Sequence, residues 1–384
     1  MSEWKEAKLS KIAELSKDSW KPGDEEAPYI GLEHIDEAKL RLLGTGHSRE
    51  VNSNKYRFKN DEFLFGKLRP YFRKVVHPRI NGICSTDIWV VKNKKEFDLD
   101  FVFYLFANQD FIDLAYSGSS GTRMPRADWK FMKDTEWLVP VHIEEQKAIA
   151  DVLNSLDDKI DLLHRQNETL EAMAQTLFRQ WFVEEAGDDW EEGCLEDIVE
   201  NIRDSVKHDQ VSNGTIYIGL KHIDKKNIAL SRNGLSDNVK SNKYRFLEED
   251  ILFGKLRPYF HKVCFTPFSG ICSTDILVIR PKNVSGFGFC LFAFFQEEVV
   301  EYANLGSGGT RMPRTNWNIL KNYPILVPPD NVLKQFNDLI YPSVLKIKNN
   351  LQQIRTLEKL RDILLPKLMS GKVRVNFNEK KESN

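Results

Sequence analysis

A basic and aromatic octapeptide occurs twice in this chain of 384 residues: FGKLRPYF stands at residues 65–72 and again at 253–260. In an extended segment side chains alternate between two faces, so Lys67, Arg69 and Arg73 are expected to share one face with Tyr71. Lysine and arginine bind phosphate and pair with guanine edges in the major groove of DNA. We therefore predict nucleic-acid contacts at these residues and their neighbours in both copies: Lys55, Arg57, Lys67, Arg69, Tyr71, Arg73, Lys243, Arg245, Lys255, Arg257, Tyr259 and His261.

The positive charge around the first octapeptide is local. Residues 54–80 contain eight Lys or Arg against Asp61 and Glu62, whereas the whole chain has a net charge of -1. A near-neutral total excludes a global basic field as the basis of nucleic-acid binding. For Phe65, Leu68 and Phe72 the pattern favours a structural role, with their side chains buried in a strand.

A second repeated motif, GTRMPR at 121–126 and 309–314, supplies further basic residues after a glycine-rich approach. Arg123, Arg126, Arg311 and Arg314 are predicted to reach phosphate or base edges. The structural alternative is a glycine-rich turn that Pro125 closes. The repeated ICSTD segment also leaves two readings open, because Asp87 could accept a hydrogen bond from cytosine N4 or cap a local turn.

The motifs of several catalytic classes do not occur. No (N/D/S)-P-P-(Y/F) motif for an amino-methyltransferase and no phosphate-binding P-loop is present. The eight histidines show no HExxH spacing and the five cysteines no CxxC spacing, so neither a metal site nor a disulfide framework is predicted. No apolar run approaches the roughly 18 residues of a membrane helix, and we expect a cytoplasmic protein with no membrane partner.

The two octapeptides belong to a longer repeat at a constant offset of 188 residues. At this offset SNKYRF, GICSTDI and GTRMPR recur, and about half of the positions from 29 to 140 are identical. Short apolar runs broken by Gly, Pro and Asn predict strands, and residues 97–116 predict one amphipathic helix. A weaker match of residues 4–14 to 190–200 indicates that each copy begins before its best-matched part. The fold class is therefore α+β, with two homologous mixed α/β domains.

A long helix is predicted after each copy. From Glu144 to about Glu184, apolar residues recur at alternating steps of four and three, which is the heptad pattern of a coiled coil. A similar run from Ile340 is predicted to end at Pro366 and Gly371. Antiparallel packing of the two helices would hold the domains at opposite ends, related by an approximate two-fold axis. Asn167 falls on the seam, where it either fixes the register or is exposed beside a packing defect.

The helical segments carry a family resemblance. AQTLFRQWFVE within 144–184 and LLPKLMSG within 360–375 resemble the specificity subunit of a type I restriction-modification system. The resemblance implies domains at 1–140 (first target-recognition domain), 141–186 (first spacer helix), 187–328 (second target-recognition domain), 329–376 (second spacer helix) and 377–384 (polar tail).

The resemblance also implies a function and partners. Each target-recognition domain would read one half of a bipartite sequence in double-stranded DNA, and the chain itself would have no catalytic site or cofactor. Two methyltransferase subunits and the restriction subunits would assemble on it, and they would bind the S-adenosylmethionine, ATP and Mg²⁺. A seam between two helices does not need the aromatic residues Phe178, Trp181 and Phe182. They are predicted to contact a partner subunit, and the alternative is that they pack against the second domain. A scaffold that holds two proteins without DNA is the competing function.

The identity of the two copies predicts a near-palindromic target. The candidate reading residues are the same in both copies, so they should prefer the same bases. The two copies differ at Arg73 against His261 and at His77 against Phe265, so the two half-sites can differ at one base.

Overall fold

The structure, a computed structural model, describes residues 3–121, 123–309 and 311–376. These residues divide into two compact units. The first unit comprises the residues up to 162 together with those from 354 onward, and the second comprises residues 163–353. The predicted polar tail at 377–384 lies outside the described residues.

The first unit is mixed α and β, as predicted. Its strands are Trp4–Lys8 (β1), Ala13–Ser16 (β2), Ser19–Trp20 (β3), Pro28–Ile30 (β4), Gly46–His47 (β5), Lys55–Phe58 (β6), Phe63–Gly66 (β7), Val75–Val76 (β8), Gly82–Cys84 (β9), Ile88–Asn93 (β10) and Glu136–Pro140 (β11). Its helices are Leu9–Ile12 (α1), Leu99–Ala107 (α2), Gln109–Ser117 (α3), Trp129–Met132 (α4) and the first part of Ile143–Arg179 (α5).

The second unit repeats this order of elements. Its strands are Glu191–Cys194 (β12), Val199–Ile202 (β13), Ser205–Val206 (β14), Ile216–Ile218 (β15), Gly234–Leu235 (β16), Lys243–Phe246 (β17), Ile251–Gly254 (β18), Val263–Phe265 (β19), Gly270–Cys272 (β20), Ile276–Pro281 (β21) and Pro324–Val327 (β22). A π-helical turn at Gln180–Glu184 follows α5, and the later helices are Leu195–Ile198 (α6), Phe287–Phe295 (α7), Glu297–Leu305 (α8), Trp317–Leu320 (α9) and Asp330–Met369 (α10), whose residues from 354 onward belong to the first unit.

The sheets of the two units have the same topology. In the first unit the strand orders are β3-β6-β9-β4-β5, β2-β10-β7-β8 and β1-β11, and in the second they are β14-β17-β20-β15-β16, β13-β21-β18-β19 and β12-β22. The register repeats as well, because Tyr56 pairs with Cys84 and Tyr244 pairs with Cys272. The pairing of β1 with β11 confirms that each copy begins before its best-matched segment.

Aromatic side chains of the octapeptide strand form part of the core of the first unit. Phe65 on β7 is 1% exposed, stacks on Trp89 at a ring distance of 5.2 Å and meets Phe106 of α2 at 5.9 Å. The structural role predicted for Phe65 is therefore confirmed. This packing fixes the position of β7. The residues that follow β7 in the chain therefore begin at a fixed point at the edge of the core.

The single helix predicted at 97–116 is wrong. Asn108, with φ -67° and ψ 142°, interrupts it and separates α2 from α3. Gln296 has nearly the same backbone angles between α7 and α8. The apolar periodicity continues across the break, so the pattern alone does not reveal it. The second long helix also continues through Pro366 to Met369, and Gly371, with φ 67°, follows its end.

The long helices pack antiparallel inside each unit, as predicted. In the first unit Asp157 of α5 accepts from Arg361 of α10 at 2.8 Å. In the second unit Asn167 of α5 accepts from Asn350 of α10 at 2.8 Å, and both side chains are buried. Asn167 therefore lies in the packed seam, and a single polar pair of this kind favours one register over its alternatives.

Candidate nucleic-acid interface

The structure brings the three repeated motifs together on one face of each unit. In the first unit Lys67 N donates to Asp87 O at 3.0 Å, Ala127 N donates to Lys67 O at 2.9 Å, and Arg69 N donates to Pro125 O at 2.7 Å. The same three bonds recur in the second unit, from Lys255 to Asp275 at 2.8 Å, from Thr315 to Lys255 at 3.0 Å and from Arg257 to Pro313 at 2.7 Å. Motifs far apart in sequence thus form one continuous surface.

We call this face the basic surface of each unit. The first basic surface consists of Lys67, Arg69, Tyr71, Arg123 and Arg126, and the second consists of Lys255, Arg257, Tyr259, Arg311 and Arg314. Each carries four cations and one aromatic ring, all of them predicted from the sequence as DNA contacts. Arginine, lysine and tyrosine side chains can all donate to phosphate oxygens, and the cations can also pair with guanine edges.

The octapeptide is not extended after its strand, so the predicted single face of alternating basic residues is wrong. Arg69, with φ 50°, and Arg73, with φ 49°, are left-handed and enclose a short 3₁₀ turn at Pro70–Phe72. The second copy has the same turn between Arg257, with φ 52°, and His261, with φ 50°. Proline at the first position of the turn fixes its own φ, and the two left-handed residues reverse the chain on either side of it. The turn places Tyr71 outward and Arg73 inward.

Arg69 and Arg257 keep hydrogen-bonding capacity that the described part of the chain leaves unused. The Nε atom of each is buried and has no hydrogen-bond partner among the described residues. An unsatisfied buried donor is costly, and a left-handed arginine adds backbone strain. Both features also occur at Arg73 and His261, but those two side chains are buried, whereas Arg69 and Arg257 are half-buried and can reach a ligand.

Arg126 is positioned by an acidic neighbour. Its Nε donates to Asp87 Oδ1 at 3.0 Å, and this hydrogen bond, followed by the charge of Asp87, raises the pKa of Arg126. Arg314 forms the corresponding ion pair with Asp275 through its terminal Nη2 atom. Of the two roles considered for Asp87, contact with cytosine N4 and capping of a turn, the structure shows neither directly. Instead the Asp87 carboxylate orients the guanidinium of Arg126, the last residue of the repeated GTRMPR motif.

Of the remaining residues of the basic surfaces, the arginines and tyrosines are open to solvent, and Lys67 and Lys255 are half-buried. Arg123 and Arg311 are exposed, and Tyr71 and Tyr259 are 46% and 50% exposed. Burial, followed by the charge of Arg314, lowers the pKa of Lys255. Positive charges crowded in this way attract an anion. Tyr71 also meets Tyr116 of α3 edge to face at 5.4 Å. Sequence reasoning missed Tyr116 because the repeat places asparagine, Asn304, at the matching position.

Two predicted DNA contacts, Arg73 and His261, are instead buried and structural. Arg73 is 8% exposed and donates to Asp362 at 3.2 Å, and His261 is 4% exposed. The left-handed turn directs both side chains into the protein, which is why the assumption of an extended segment misplaced them. These two residues are not part of the basic surfaces.

The lysines before the octapeptides are also occupied within the protein. Lys55 and Lys243 are 9% and 6% exposed. Their ammonium groups donate to Ser53 Oγ at 2.6 Å and to Ser241 Oγ at 2.7 Å. Burial lowers the pKa of both lysines. They lie on β6 and β17, where they tie down the preceding turn, and this placement argues against direct DNA contact.

Arg57 and Arg245, on the same strands, are engaged by carboxylates. Arg57 donates to Asp24 at 2.7 Å and to Glu25 at 2.9 Å, and Arg245 pairs with Asp204 at 3.1 Å. Hydrogen bonding to Glu25 raises the pKa of Arg57 further. Arg57 and Arg245 also stand outside the three motifs that the backbone hydrogen bonds join, so we leave both outside the basic surfaces.

The aromatic residues predicted as partner contacts lie mainly inside the second unit. Phe178 and Phe182 are 4% and 8% exposed. They pack against Phe289 at ring distances of 5.7 and 4.7 Å, and Phe182 also meets Phe336 at 4.7 Å. Trp181 is partly buried and meets Phe336 at 5.8 Å. The alternative of packing against the second domain therefore holds for Phe178 and Phe182, because they complete its core.

Among the described residues no group of three or more His, Cys, Asp and Glu side chains is arranged to hold a metal ion. No described helix combines the length and apolarity that a membrane span requires.

Comparison with known proteins identifies the class to which this fold and surface belong. The sequence pattern of the type I restriction modification DNA specificity domain matches residues 1–172 and again residues 187–357. The chain therefore belongs to this family and contains two copies of its domain.

Individual relatives agree with the family. The chain is 28% identical over 305 residues to the specificity subunit of the type I restriction enzyme MjaIX of Methanocaldococcus jannaschii, a match that covers 72% of this chain and 69% of that protein. It is 32% identical over 96 residues to the EcoDI specificity subunit of Escherichia coli, covering 25% of this chain and 21% of that protein. The crystal structure of a type I restriction-modification S subunit from M. genitalium matches 98% of this chain and 97% of its own, with a TM-score of 0.56 and 15% identity. This structural likeness supports the fold.

Proposed function

We propose that the protein is the specificity subunit of a type I restriction-modification complex, and that each unit reads one half of a bipartite DNA target through its basic surface. The observation that carries this proposal is the assembly of three repeated motifs into the same cationic and aromatic face in both units. Family membership favours this function over a scaffold that holds two proteins without DNA.

The target is proposed to be near-palindromic. Corresponding side chains of the two basic surfaces are identical, and the backbone hydrogen bonds that position them are the same. Identical donors held in identical geometry select the same bases. The two half-sites should therefore carry nearly the same sequence.

Binding of duplex DNA should depend steeply on salt. Each phosphate contact contributes about −0.9 to the slope of log K against log salt concentration, so several contacts give a large slope. The measurement is a fluorescence titration of duplex DNA over a salt series. The DNA is titrated with the complex of this chain and its methyltransferase subunits. Arg123→Ala combined with Arg311→Ala should make the slope shallower, whereas Lys159→Ala, on the exposed face of α5, which carries none of the basic-surface residues, serves as a control. Binding that is weak and indifferent to salt would favour the protein scaffold.

The partner assembly is proposed to contain two methyltransferase subunits and the restriction subunits. A chain that presents the same domain twice offers each methyltransferase subunit an equivalent site, which supports a ratio of two to one. The chain is proposed to be non-catalytic, with S-adenosylmethionine, ATP and Mg²⁺ bound by the partners. The mass of the purified methyltransferase complex should fit two partner chains per specificity chain, and a stable one-to-one complex at saturating partner would contradict this ratio.

A further inference from the structure

The two basic surfaces are alike in their five named residues, but their surroundings differ. The sequence predicts that a difference in base preference arises from two pairs of corresponding residues: Arg73 with His261, and His77 with Phe265. The structure removes both pairs from the surface, because Arg73 and His261 are buried, His77 bonds Asp100 at 3.2 Å and Phe265 is 1% exposed. Any difference in base preference must therefore arise from another position.

Position 116 in the first unit lies directly beside the basic surface. Tyr116 is near the end of α3, and this helix packs against the 3₁₀ turn that carries Tyr71. The two tyrosine rings meet at 5.4 Å with an angle of 87° between their planes. Tyr116 is 51% exposed, so its ring extends the aromatic part of the first basic surface into solvent.

The matching position in the second unit is Asn304. It lies near the end of α8, and α8 packs against the turn at Pro258–Phe260 as α3 packs against its counterpart. Asn304 is half-buried, and its side-chain amide makes no hydrogen bond within the described part of the chain. Tyr259 beside this helix has no second tyrosine at this position, so an amide replaces a ring at the edge of a surface whose five named residues are the same in both units.

The chemistry of these two side chains toward base edges is different. An asparagine amide offers one donor and one acceptor in the arrangement that pairs with N6 and N7 of adenine in the major groove. A tyrosine ring cannot form that pair, since its hydroxyl is a single group on a rigid apolar plane. The second basic surface can therefore select adenine at a position where the first cannot.

We propose that residues 116 and 304 determine specificity and make the two half-sites differ at one base pair. The second half-site carries adenine at the position that Asn304 reads, and the first half-site carries another base pair there. This inference rests on the proposed function, since it names which side chain sets one base of the target that the basic surfaces read.

Exchange of the two residues tests the inference. Methylated motifs are determined by long-read sequencing in a host that expresses the chain with its methyltransferase subunits. The wild type should give two half-sites that match at every specified position except one. Tyr116→Asn should change that position of the first half-site to adenine and make the half-sites identical, with a shift in preference between the two base pairs on the order of ten-fold. Asn304→Tyr should relax the adenine in the second half-site.

The controls separate this inference from the proposed function. Asp113→Glu, which also transfers a residue of the second copy into the same helix, should leave the motif unchanged. Thermal unfolding establishes that both exchanged variants are folded, and Asn304→Tyr provides the test if Tyr116→Asn does not fold. Identical half-sites in the wild type, or an unchanged motif in folded exchange variants, would overturn the inference and leave the proposed function intact. Absence of any methylated motif in the wild type would contradict the proposed function itself.

Discussion

Replacement of Arg69 by glycine is expected to weaken DNA binding by about 1–3 kcal/mol and to relax one position of the first half-site, while the folded protein becomes no less stable. Arg257→Gly should have the mirror effect on the second half-site. Because these variants are expected to weaken DNA binding without lowering stability, they separate a binding role of the arginine from a structural one.

The reason lies in the backbone. Arg69 and Arg257 have φ values of 50° and 52°, in the left-handed region that costs an ordinary residue about 1 kcal/mol and that glycine adopts without penalty. The backbone hydrogen bonds to Pro125 and Pro313 do not depend on the side chain and remain in the glycine variants. Glycine would thus suit the turn better than arginine, yet both copies carry arginine, which indicates that its side chain serves binding.

The measurement combines two readouts. Denaturant unfolding gives the free energy of unfolding of each variant, and a titration with a duplex that contains the target gives its affinity. Arg57→Gln removes one positive charge from a guanidinium that Asp24 and Glu25 already engage, so it should leave base preference unchanged. A glycine variant of Arg69 that loses stability and binds DNA normally would assign this residue a structural role.

Arg361→Ala is expected to produce the largest loss of stability, about 3–5 kcal/mol in the unfolding of the first unit. Arg361 is 0% exposed and donates to Asp157 at 2.8 Å and to the backbone oxygen of Lys39 at 3.1 Å. Tyr104 also donates to Asp157, at 2.8 Å. Removal of the guanidinium leaves this carboxylate without its cation and the Lys39 carbonyl without its donor, and both are costly.

Two further variants complete this test by denaturant unfolding. Arg361→Met with Asp157→Asn removes both charges and should recover part of the loss, because no uncompensated charge remains. Met173, which stands 188 residues before Arg361, is 56% exposed, so Met173→Ala should change stability little. If Arg361→Ala unfolds like the wild type, the ion pair does not hold the first unit together.

The parts of the fold that follow from periodic patterns could be predicted from the sequence. The repeat predicted two homologous mixed domains, and the heptad pattern predicted long helices that pack antiparallel, because apolar spacing records which face is buried. The break at Asn108 escaped prediction because the apolar pattern continues through it. The prediction that α10 ends at Pro366 gave weight to proline as a helix breaker, although the buried Leu365 and Leu368 continue the steps of four and three past it.

The candidate site could be predicted only in part. Lys67, Arg69, Tyr71, Arg123 and Arg126 were identified because they lie in repeated motifs. Their assembly into one surface depends on hydrogen bonds between distant segments, which no local pattern reveals. Arg73 and His261 were misplaced because two left-handed residues turn the chain, and arginine gives no sequence signal for that conformation. Tyr116 was missed because it contributes by its position in space and differs between the copies.

The central claim is that two nearly identical basic surfaces read two nearly identical half-sites. Long-read sequencing of methylated DNA from a host that expresses the wild-type chain with its methyltransferase subunits tests it most directly. The account predicts one bipartite motif whose half-sites agree at all specified positions but one. A motif with two unrelated half-sites would contradict it, and would mean that the similarity of the two units maintains the fold and not the reading of DNA.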